Sequence, residues 1–228
     1  MTVPIERVAV IGGGAMGSGI AQVVAQAAVP VTLIDREQRF LDAARARIAS
    51  GLERLTSKGK LTSEDADAAL GRIAYQTGHE GLESVDLVIE AAFEDLDVKR
   101  ELSASVTPLL RGDAIFASNT SSISLAAIAA AADDPSRVAG MHFFNPVPVL
   151  ALVEVVKAPQ TSNETIERIT AFARRIGKTP FTVADSPGFV ANRLLIPMVN
   201  EAIFALADGV ASKEAIDEIM KLGAAHPI

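Results

Sequence analysis

Short runs of β-branched and aliphatic residues alternate with longer alanine-rich stretches through most of the chain. Near-continuous apolar runs, such as residues 86–92, are typical of strands buried on both faces. This alternation predicts an α/β fold of the Rossmann type, with a mostly parallel sheet covered by helices. The predicted strands are Arg7–Ile11, Val31–Asp35, Asp86–Ala91, Ala114–Ser118, Val138–Phe144, Leu152–Val156 and Phe181–Val183. The predicted helices between them are Ala15–Ala28, Glu37–Ser57, Ser63–Leu70, Val98–Leu110, Leu125–Ala132 and Asn163–Ile176.

The strand–helix alternation stops near Ser186, where the sequence reads Asp-Ser-Pro-Gly. Two consecutive helices follow, Val190–Ala207 and Lys213–Leu222. We therefore predict a Rossmann-type domain over residues 1–185 and the start of an all-helical domain over residues 186–228. About forty residues make a poor independent core, so this helical part either packs against a partner or belongs to a longer protein. We expect the helical domain to be incomplete, or truncated. Earlier in the chain, the predicted helix Glu37–Ser57 and the segment after it form a helical excursion that is long for a crossover between strands.

Composition limits the classes of partner. The 228 residues carry a net charge of −7 and a pI near 5.0, which disfavours a broad surface for nucleic acid or anionic membranes. The aromatic content of 4%, without tryptophan, disfavours a base-stacking platform. The absence of cysteine excludes disulfides, thiol nucleophiles and cysteine-based zinc sites. With neither a signal-peptide pattern nor an apolar run of membrane-spanning length, we expect a cytoplasmic protein.

A glycine-rich turn follows the first predicted strand and opens the first helix. Gly-x-Gly-x-x-Gly alone is a weak signal, but its position between strand and helix is typical of dinucleotide-binding βαβ units. The first glycine permits a tight turn, the second lets the backbone approach a diphosphate, and the third allows close packing. Amide groups at the helix N-terminus then face the diphosphate. The predicted cofactor-binding residues of this turn are Gly12, Gly14, Met16 and Gly17.

Asp35 ends the second predicted strand. Its carboxylate is placed to accept hydrogen bonds from ribose hydroxyls and to repel a 2′-phosphate, which favours NAD over NADP. The neighbouring Arg36 would weaken that preference, and tolerance of NADP stays open.

His142 is the candidate general base. Of the three histidines, His79 lies in a polar run and His226 lies two residues from the end, whereas His142 lies in an apolar segment shared with Glu154. A polar pair in apolar strands costs stability unless it is hydrogen-bonded, and a carboxylate beside an imidazole makes it a better proton acceptor. The alternative, a histidine that only completes the core, stays open on these residues alone.

Two polar segments are candidates for binding a reacting group. Ser118-Asn119-Thr-Ser121-Ser122 ends a predicted strand, where ligands of open α/β sheets bind. Capping of the next helix accounts for one or two of these hydroxyls and not for the whole run. Asn192 lies early in the first helix of the C-terminal part, and its alternative is simple surface exposure.

Together these segments resemble the L-3-hydroxyacyl-CoA dehydrogenase family, in particular its bacterial 3-hydroxybutyryl-CoA dehydrogenase branch. The resemblance runs from Val8 almost to the last residue. It rests on five motifs in order: Val-Ile-Gly-Gly-Gly-Ala-Met-Gly-Ser-Gly-Ile-Ala-Gln at 10–22, Ile-Glu-Ala-Ala-Phe-Glu-Asp-Leu-x-Val-Lys at 89–99, Ala-Ser-Asn-Thr-Ser-Ser-Ile at 117–123, Met-His-Phe-Phe-Asn-Pro-Val-Pro at 141–148 and Ser-Pro-Gly-Phe-Val-Ala-Asn-Arg at 186–193.

The resemblance implies an NAD-dependent oxidoreductase that acts on short-chain 3-hydroxyacyl-CoA thioesters and forms a homodimer when full length. It implies that His142 is the general base, that Glu154 stabilises the imidazolium, and that Ser121 and Asn192 hydrogen-bond the reacting oxygen or lie beside it. It further implies that the ribose and nicotinamide end of NAD is lined by Glu94, Lys99, Asn119 and Asn145. In the family the helical excursion contacts the CoA nucleotide, so Lys58 and Lys60 are candidate partners for a CoA phosphate, with solvated charges as the alternative.

Two other functions remain open at this level. One is a dehydrogenase of a free hydroxy or sugar acid, and the other is a dinucleotide-binding sensor without catalysis. The presence of the whole predicted catalytic set argues against the sensor. The sequence shows no metal-ligand cluster, and members of the family normally continue past the segment that matches Leu222–Ile228, with helices that complete the substrate domain.

Overall fold

The computed structural model describes residues 3–226, and its centre is one eight-stranded sheet. The spatial order of the strands is β3-β2-β1-β4-β5-β6-β7-β8. The strands are β1 (Val8–Ile11), β2 (Val31–Ile34), β3 (Ile73–Gln76), β4 (Leu87–Glu90), β5 (Ile115–Ser118), β6 (Val138–Phe143), β7 (Leu152–Lys157) and β8 (Thr179–Ala184). The helices are α1 (Ala15–Gln26), α2 (Gln38–Ser57), α3 (Ser63–Gly71), α4 (Leu96–Val106), α5 (Leu125–Ala129), α6 (Asn163–Arg175), α7 (Ala191–Ala207) and α8 (Lys213–Ala224). The predicted Rossmann-type fold is confirmed.

The direction of the strands decides where a ligand binds. Strands β1 to β6 run parallel, β7 is antiparallel to β6, and β8 is parallel to β7. After β1 the chain passes to β2 and β3 on one side and then returns to β4 on the other. The order of the sheet therefore reverses between β1 and β4, and open α/β sheets bind ligands outside the carboxyl ends of the strands at such a point.

Helices α1 and α2 show how the sequence builds the layer over this edge. Most of α1 is buried, and its small residues allow it to lie close to the sheet. Helix α2 is amphipathic, and its buried positions follow the three-to-four-residue spacing of one helical face. These buried positions are Leu41, Ala44, Ile48 and Leu52.

Several elements differ from the sequence prediction, and α5 for example ends at Ala129 instead of Ala132. Strand β3 was not predicted, because it is a short edge strand in which only Ile73 is buried and no alternating pattern arises. Helix α4 ends at Val106 instead of Leu110, because Pro108 has no amide hydrogen to continue it and a 3₁₀ turn follows at Thr107–Leu109. Strand β8 is longer at both ends than the predicted Phe181–Val183, since it pairs along the whole of β7.

The chain divides into two compact units, Met1–Pro187 and Gly188–Ile228. The first contains the sheet and helices α1 to α6. The second contains α7 and α8, and α7 exposes apolar side chains such as Leu194, Ile196 and Ile203. Within residues 3–226, no helix is long and apolar enough to cross a membrane.

Candidate active site

The turn between β1 and α1 requires glycine at two positions for steric reasons. Gly12 has φ of +111°, and a β-carbon there would overlap the carbonyl of Ala91 at the end of β4. A β-carbon at Gly17 would overlap the carbonyl of Gly12. The turn therefore lies directly against the carboxyl end of β4, with α1 packed closely behind it.

Gly14 is the N-cap of α1, so no side chain covers the first amide groups of the helix. A β-carbon added at Gly14 would meet nothing within 4 Å. An uncovered N-terminus of a twelve-residue helix at the sheet's switch point fits the diphosphate of a dinucleotide. Met16 is half-buried in the first turn of α1 and packs against the core.

Asp35 follows β2 and faces the glycine turn. Its Oδ2 accepts a hydrogen bond from Gly13 N at 2.7 Å, and its Oδ1 accepts one from Glu37 N at 3.2 Å. These bonds fix the carboxylate next to the turn, where a ribose would lie if a dinucleotide bound there. Arg36 is 89% exposed with its guanidinium 3.9 Å from Glu37, so its charge is largely in solvent.

His142 and Glu154 lie directly opposite each other in the antiparallel pair of β6 and β7. His142 Nδ1 is 2.8 Å from Glu154 Oε2, and the two residues are only 5% and 3% exposed. The ring of Phe144 lies 4.5 Å from the imidazole, centroid to centroid. With the carboxylate ionised, Nδ1 donates to Glu154, and Nε2 then carries the lone pair that accepts a proton.

The loop after β5 forms hydrogen bonds with β6, beside His142, and with Glu94 in the segment after β4. Asn119 Oδ1 accepts a hydrogen bond from Phe143 N at 2.9 Å, the residue next to His142. Thr120 Oγ1 and Ser121 N donate to Glu94 Oε1 at 2.6 and 2.8 Å. The predicted residues Asn119, Ser121 and Glu94 are thus brought together at the same edge as His142.

Glu94 is held ionised by its neighbours. Burial alone would raise the pKa of this half-buried carboxyl, but hydrogen bonds from Thr120 and Ser121 and the charge of Lys99 outweigh burial and lower it. Lys99 Nζ lies 3.2 Å from Glu94 Oε2 and 2.7 Å from Glu90 Oε1. Glu90 has no predicted role, although a glutamate within an apolar strand, followed nine residues later by a lysine in a helix, is a detectable signal.

Asn145 lies in the loop between β6 and β7. Residues 145–148 form one wall of a groove of about 490 Å³, whose other walls are α1 and α2. Arg47 and Arg54 of α2 line this groove. Lys58 and Lys60 are exposed in the turn after α2, one helical turn or more beyond Arg54 and not among the groove residues.

Lys178 fixes that loop from beneath. Its buried ammonium donates to the carbonyls of Val147 and Leu150, the latter at 2.8 Å. Burial lowers the pKa of Lys178. The loop is therefore anchored at two points between Asn145 and β7.

The elements that carry Asn192 and the other two histidines are as follows. Asn192 is half-buried as the second residue of α7, in the C-terminal unit, and its role stays a prediction. His79 lies in the segment between β3 and β4, and His226 lies after α8. Residues 3–226 contain no group of three histidine, cysteine, aspartate or glutamate side chains that could hold a metal ion.

This sheet order, with a glycine turn after β1 and an acid after β2, is that of dinucleotide-binding proteins. A buried imidazole hydrogen-bonded to a carboxylate lies at the same edge, and such a pair is suited to acid–base chemistry. The fold and the site together define a dinucleotide-dependent oxidoreductase.

Comparison with known protein families narrows this class. The sequence model of the 3-hydroxyacyl-CoA dehydrogenase NAD binding domain matches residues 7–186. The sequence model of the 3-hydroxyacyl-CoA dehydrogenase C-terminal domain matches residues 188–228. The chain therefore belongs to the 3-hydroxyacyl-CoA dehydrogenase family, whose cofactor is NAD, and the predicted resemblance is confirmed.

Individual relatives agree with the family. The chain is 47% identical over 219 residues to a probable 3-hydroxybutyryl-CoA dehydrogenase of Deinococcus radiodurans, a match that covers 96% of the chain and 78% of the relative. It is 45% identical to the 3-hydroxybutyryl-CoA dehydrogenase of Clostridioides difficile, with 97% and 79% covered. The crystal structure of (S)-3-hydroxybutyryl-CoA dehydrogenase from Ralstonia eutropha superposes with a TM-score of 0.96 at 46% identity, with 98% and 79% covered.

Proposed function

We propose that the protein interconverts short-chain L-3-hydroxyacyl-CoA and 3-ketoacyl-CoA thioesters with NAD, and that 3-hydroxybutyryl-CoA is a representative substrate. The observation that carries the proposal is the buried pair of His142 and Glu154 at the cofactor edge of the sheet. The names of the bacterial relatives support the substrate class.

His142 acts as the general base in the oxidation direction. The bound NAD supplies the hydride acceptor, and the protein must remove the proton of the substrate hydroxyl. Nε2 of His142 takes this proton, and the carboxylate of Glu154 stabilises the imidazolium that results. A positioned base of this kind contributes roughly 10²–10⁴-fold to the rate.

Ser121 and Asn192 hold the reacting oxygen in this proposal. Ser121 lies on the loop after β5. In the same loop, Asn119 accepts a hydrogen bond from the backbone of Phe143, the residue next to His142. A hydroxyl or amide donor aimed at the developing charge on the oxygen contributes about 10²–10³-fold. In this proposal Asn119, Asn145 and Glu94 line the ribose and nicotinamide end of the cofactor, and the buried Lys99 lies behind Glu94 with its side chain only 1% exposed.

The groove between α1, α2 and residues 145–148 accepts the nucleotide part of CoA in this proposal. Arg54 supplies charge for phosphate groups, since a guanidinium binds phosphate oxygens in bidentate geometry, whereas the guanidinium of Arg47 is already bonded to the Gly13 carbonyl and the Ser18 hydroxyl. The groove shares Asn145 with the cofactor region, so a thioester seated there has its acyl end near the cofactor. Arg54 is then a more direct phosphate partner than Lys58 or Lys60, which lie in the turn beyond it.

We propose further that the full-length enzyme is a cytoplasmic homodimer. The apolar side chains exposed on α7 support an additional contact surface, because exposed apolar patches of this kind are usually covered by other protein. Sedimentation of the full-length protein as a stable monomer would contradict the dimer.

The direct test is a spectrophotometric assay of NADH oxidation with acetoacetyl-CoA. Free acetoacetate serves as the matched substrate without CoA, and NADPH as the matched cofactor. We expect turnover with acetoacetyl-CoA and NADH, and a rate at least about 100-fold lower with acetoacetate, because the binding energy of the nucleotide part is lost. Equal rates on the two substrates would refute the CoA assignment.

A further inference from the structure

Glu90 is a fully buried carboxylate to which neither the sequence nor the proposed reaction assigns a role. It is the last residue of β4 and is 0% exposed. Its Oε1 accepts hydrogen bonds from Lys99 Nζ and Ala92 N, both at 2.7 Å. Its Oε2 accepts one from Ser118 Oγ at 2.6 Å. Both oxygens of this carboxylate are therefore engaged, and the side chain has one fixed orientation.

Lys99 connects Glu90 to Glu94. Its side chain is 1% exposed, and its ammonium lies between the carboxylates of Glu90 and Glu94, at 2.7 and 3.2 Å. Because the lysine reaches Glu94 from the interior of the protein, its position depends on the counter-charge of Glu90. Without Glu90, a buried ammonium would lose its closest partner.

Glu94 links the buried Lys99 to the loop that follows β5, the strand that ends at Ser118. The chain of contacts runs from Ser118 through Glu90, Lys99 and Glu94 to Thr120 and Ser121. Its first member is the last residue of β5, and its last members lie in the loop that follows. The backbone closes the same connection, since the amide that follows Ser118 donates to the carbonyl of Glu90 at 2.7 Å. The backbone bond holds the start of the loop, and the side-chain contacts hold the rest of it.

A buried ion pair is not needed for stability alone. Removing two charges from water costs free energy, and well-packed apolar residues of similar volume often stabilise a protein as well or better. What the charged arrangement adds is a definite direction for each side chain, because hydrogen bonds fix angles that apolar contacts leave loose.

We infer that Glu90 is a positioning residue, which acts through Lys99 to hold Glu94 and the Ser121 loop in place at the nicotinamide end of the cofactor site. This inference rests on the proposed function for the identity of the site. Glu90 itself touches neither substrate nor cofactor in this proposal. Its loss should therefore affect groups that contact the nicotinamide end and leave the adenosine end, near Asp35, unchanged.

The test is Glu90→Gln, with Asp86→Asn as the matched control. Asp86 is a buried carboxylate at the opposite end of the same strand region, where it accepts from Glu6 N and Arg7 N and pairs with Arg111 at 2.6 Å. Both changes remove one buried charge and keep the shape of the side chain. A purely structural role predicts the same pattern of effects for both variants.

Two binding measurements separate positioning from stability. For Glu90→Gln we expect the dissociation constant of NADH to rise about three- to tenfold, and that of ADP, which lacks both the nicotinamide and its ribose, to change less than about twofold. We expect kcat with acetoacetyl-CoA to fall about 10- to 100-fold, since a small misplacement of reacting groups has effects of this size. Asp86→Asn should keep all three quantities within about twofold of the wild type, even if its melting temperature falls.

The possible outcomes are distinct. Wild-type values of kcat and NADH affinity in Glu90→Gln would overturn the inference, as would equal losses of NADH and ADP affinity. If Glu90→Gln does not fold, Glu90→Asp, which withdraws the carboxylate by one methylene, must show the same selective loss in weaker form. If the wild type binds NADH but does not reduce acetoacetyl-CoA, the proposed function fails, and the comparison of NADH with ADP still decides the role of Glu90.

Discussion

His142 and Glu154 are direct partners across two antiparallel strands, with Nδ1 and Oε2 2.8 Å apart in a buried setting. The chain between them forms the end of β6, a loop and the start of β7. The pairing of the strands, and not a local turn, therefore determines the geometry of the proposed proton acceptor. This relationship gives the most direct test of the mechanism.

Replacing His142 by Gln should remove turnover and keep cofactor binding. The amide has similar size but cannot accept a proton at neutral pH, so we expect kcat to fall about 10²- to 10⁴-fold. Fluorescence titration should show an NADH affinity within about threefold of the wild type. His79→Gln, in the segment between β3 and β4, is the control and should keep full activity. A kcat near the wild-type value in His142→Gln would exclude this residue as the base.

Asp35 should determine the preference for NADH over NADPH. In Asp35→Ala the ribose loses a charged acceptor, a hydrogen bond of roughly 1.5–3 kcal/mol, and the repulsion of a 2′-phosphate disappears. We expect NADH affinity to fall at least about tenfold and the ratio of the two affinities to move toward NADPH. Asp42→Ala removes an exposed carboxylate of α2 and serves as the control. An unchanged affinity ratio in Asp35→Ala would contradict the assignment.

Replacement of Arg54 in the groove should weaken the binding of CoA substrates selectively. Arg54→Met should raise KM for acetoacetyl-CoA about tenfold, because one charged contact to phosphate is worth about 1.5–3 kcal/mol. The KM for an acetoacetyl thioester of pantetheine, which lacks the nucleotide, should not change. Lys58→Met is the comparison and should have the smaller effect. If Lys58→Met raises KM more than Arg54→Met does, the nucleotide binds beyond the groove.

The glycine turn gives a prediction about stability. Gly17→Ala places a β-carbon into the carbonyl of Gly12, and the resulting shift should reduce the free energy of unfolding by about 1–3 kcal/mol. Gly71, the last residue of α3, has open space where a methyl group would be added, so Gly71→Ala should be neutral or stabilise by about 0.4–1 kcal/mol. Urea denaturation of both variants checks the difference. Equal free energies of unfolding would show that the turn tolerates a side chain.

The lowered pKa of Glu94 predicts how the free energy of unfolding depends on pH. Since its pKa is lowered in the folded protein, the native state holds fewer protons than the unfolded chain just below the ordinary value of 4.5. The contribution of Glu94 to stability is therefore complete above that value and is lost as the pH falls through the lower folded pKa. The difference in unfolding free energy between wild type and Glu94→Gln should be largest near neutral pH and vanish in acid.

The control for this experiment is Glu53→Gln, which changes an exposed carboxyl on α2. It should follow the wild-type curve across the same urea series. A difference between wild type and Glu94→Gln that persists unchanged to about pH 3 would show that the carboxyl is not coupled to its hydrogen-bond donors.

Much of the fold was predictable because its signals are local. Apolar runs identified the buried strands, and the glycine turn followed by Asp35 identified the dinucleotide-binding unit. Strand β3 was missed, because one buried residue at a sheet edge produces no periodic pattern. The extent of α4 was overestimated, because the alanine-poor but helix-compatible sequence continues past Pro108.

The candidate site was predictable in its residues and less so in its connections. The sequence places a histidine and a glutamate in neighbouring apolar strands, but it does not state that β7 runs antiparallel to β6, which brings the pair into contact. The contacts of Glu90 with Lys99 and Ser118 depend on side-chain directions from three separate elements. Arg47 and Arg54 were not proposed, because their place in a groove follows from how α2 packs against α1.

The short loop at residues 144–151 connects the strands that carry the proposed proton-accepting pair, and it forms one wall of the groove proposed to bind CoA. Lys178 holds this loop in place through hydrogen bonds to the carbonyls of Val147 and Leu150, so a shift at one end of the loop affects the other. Attempts to alter the binding of CoA substrates should therefore exchange single side chains in this loop and avoid insertions or deletions. If the proposed roles hold, a change in its length would disturb acid–base chemistry and CoA binding together, so the two could not be altered independently by that route.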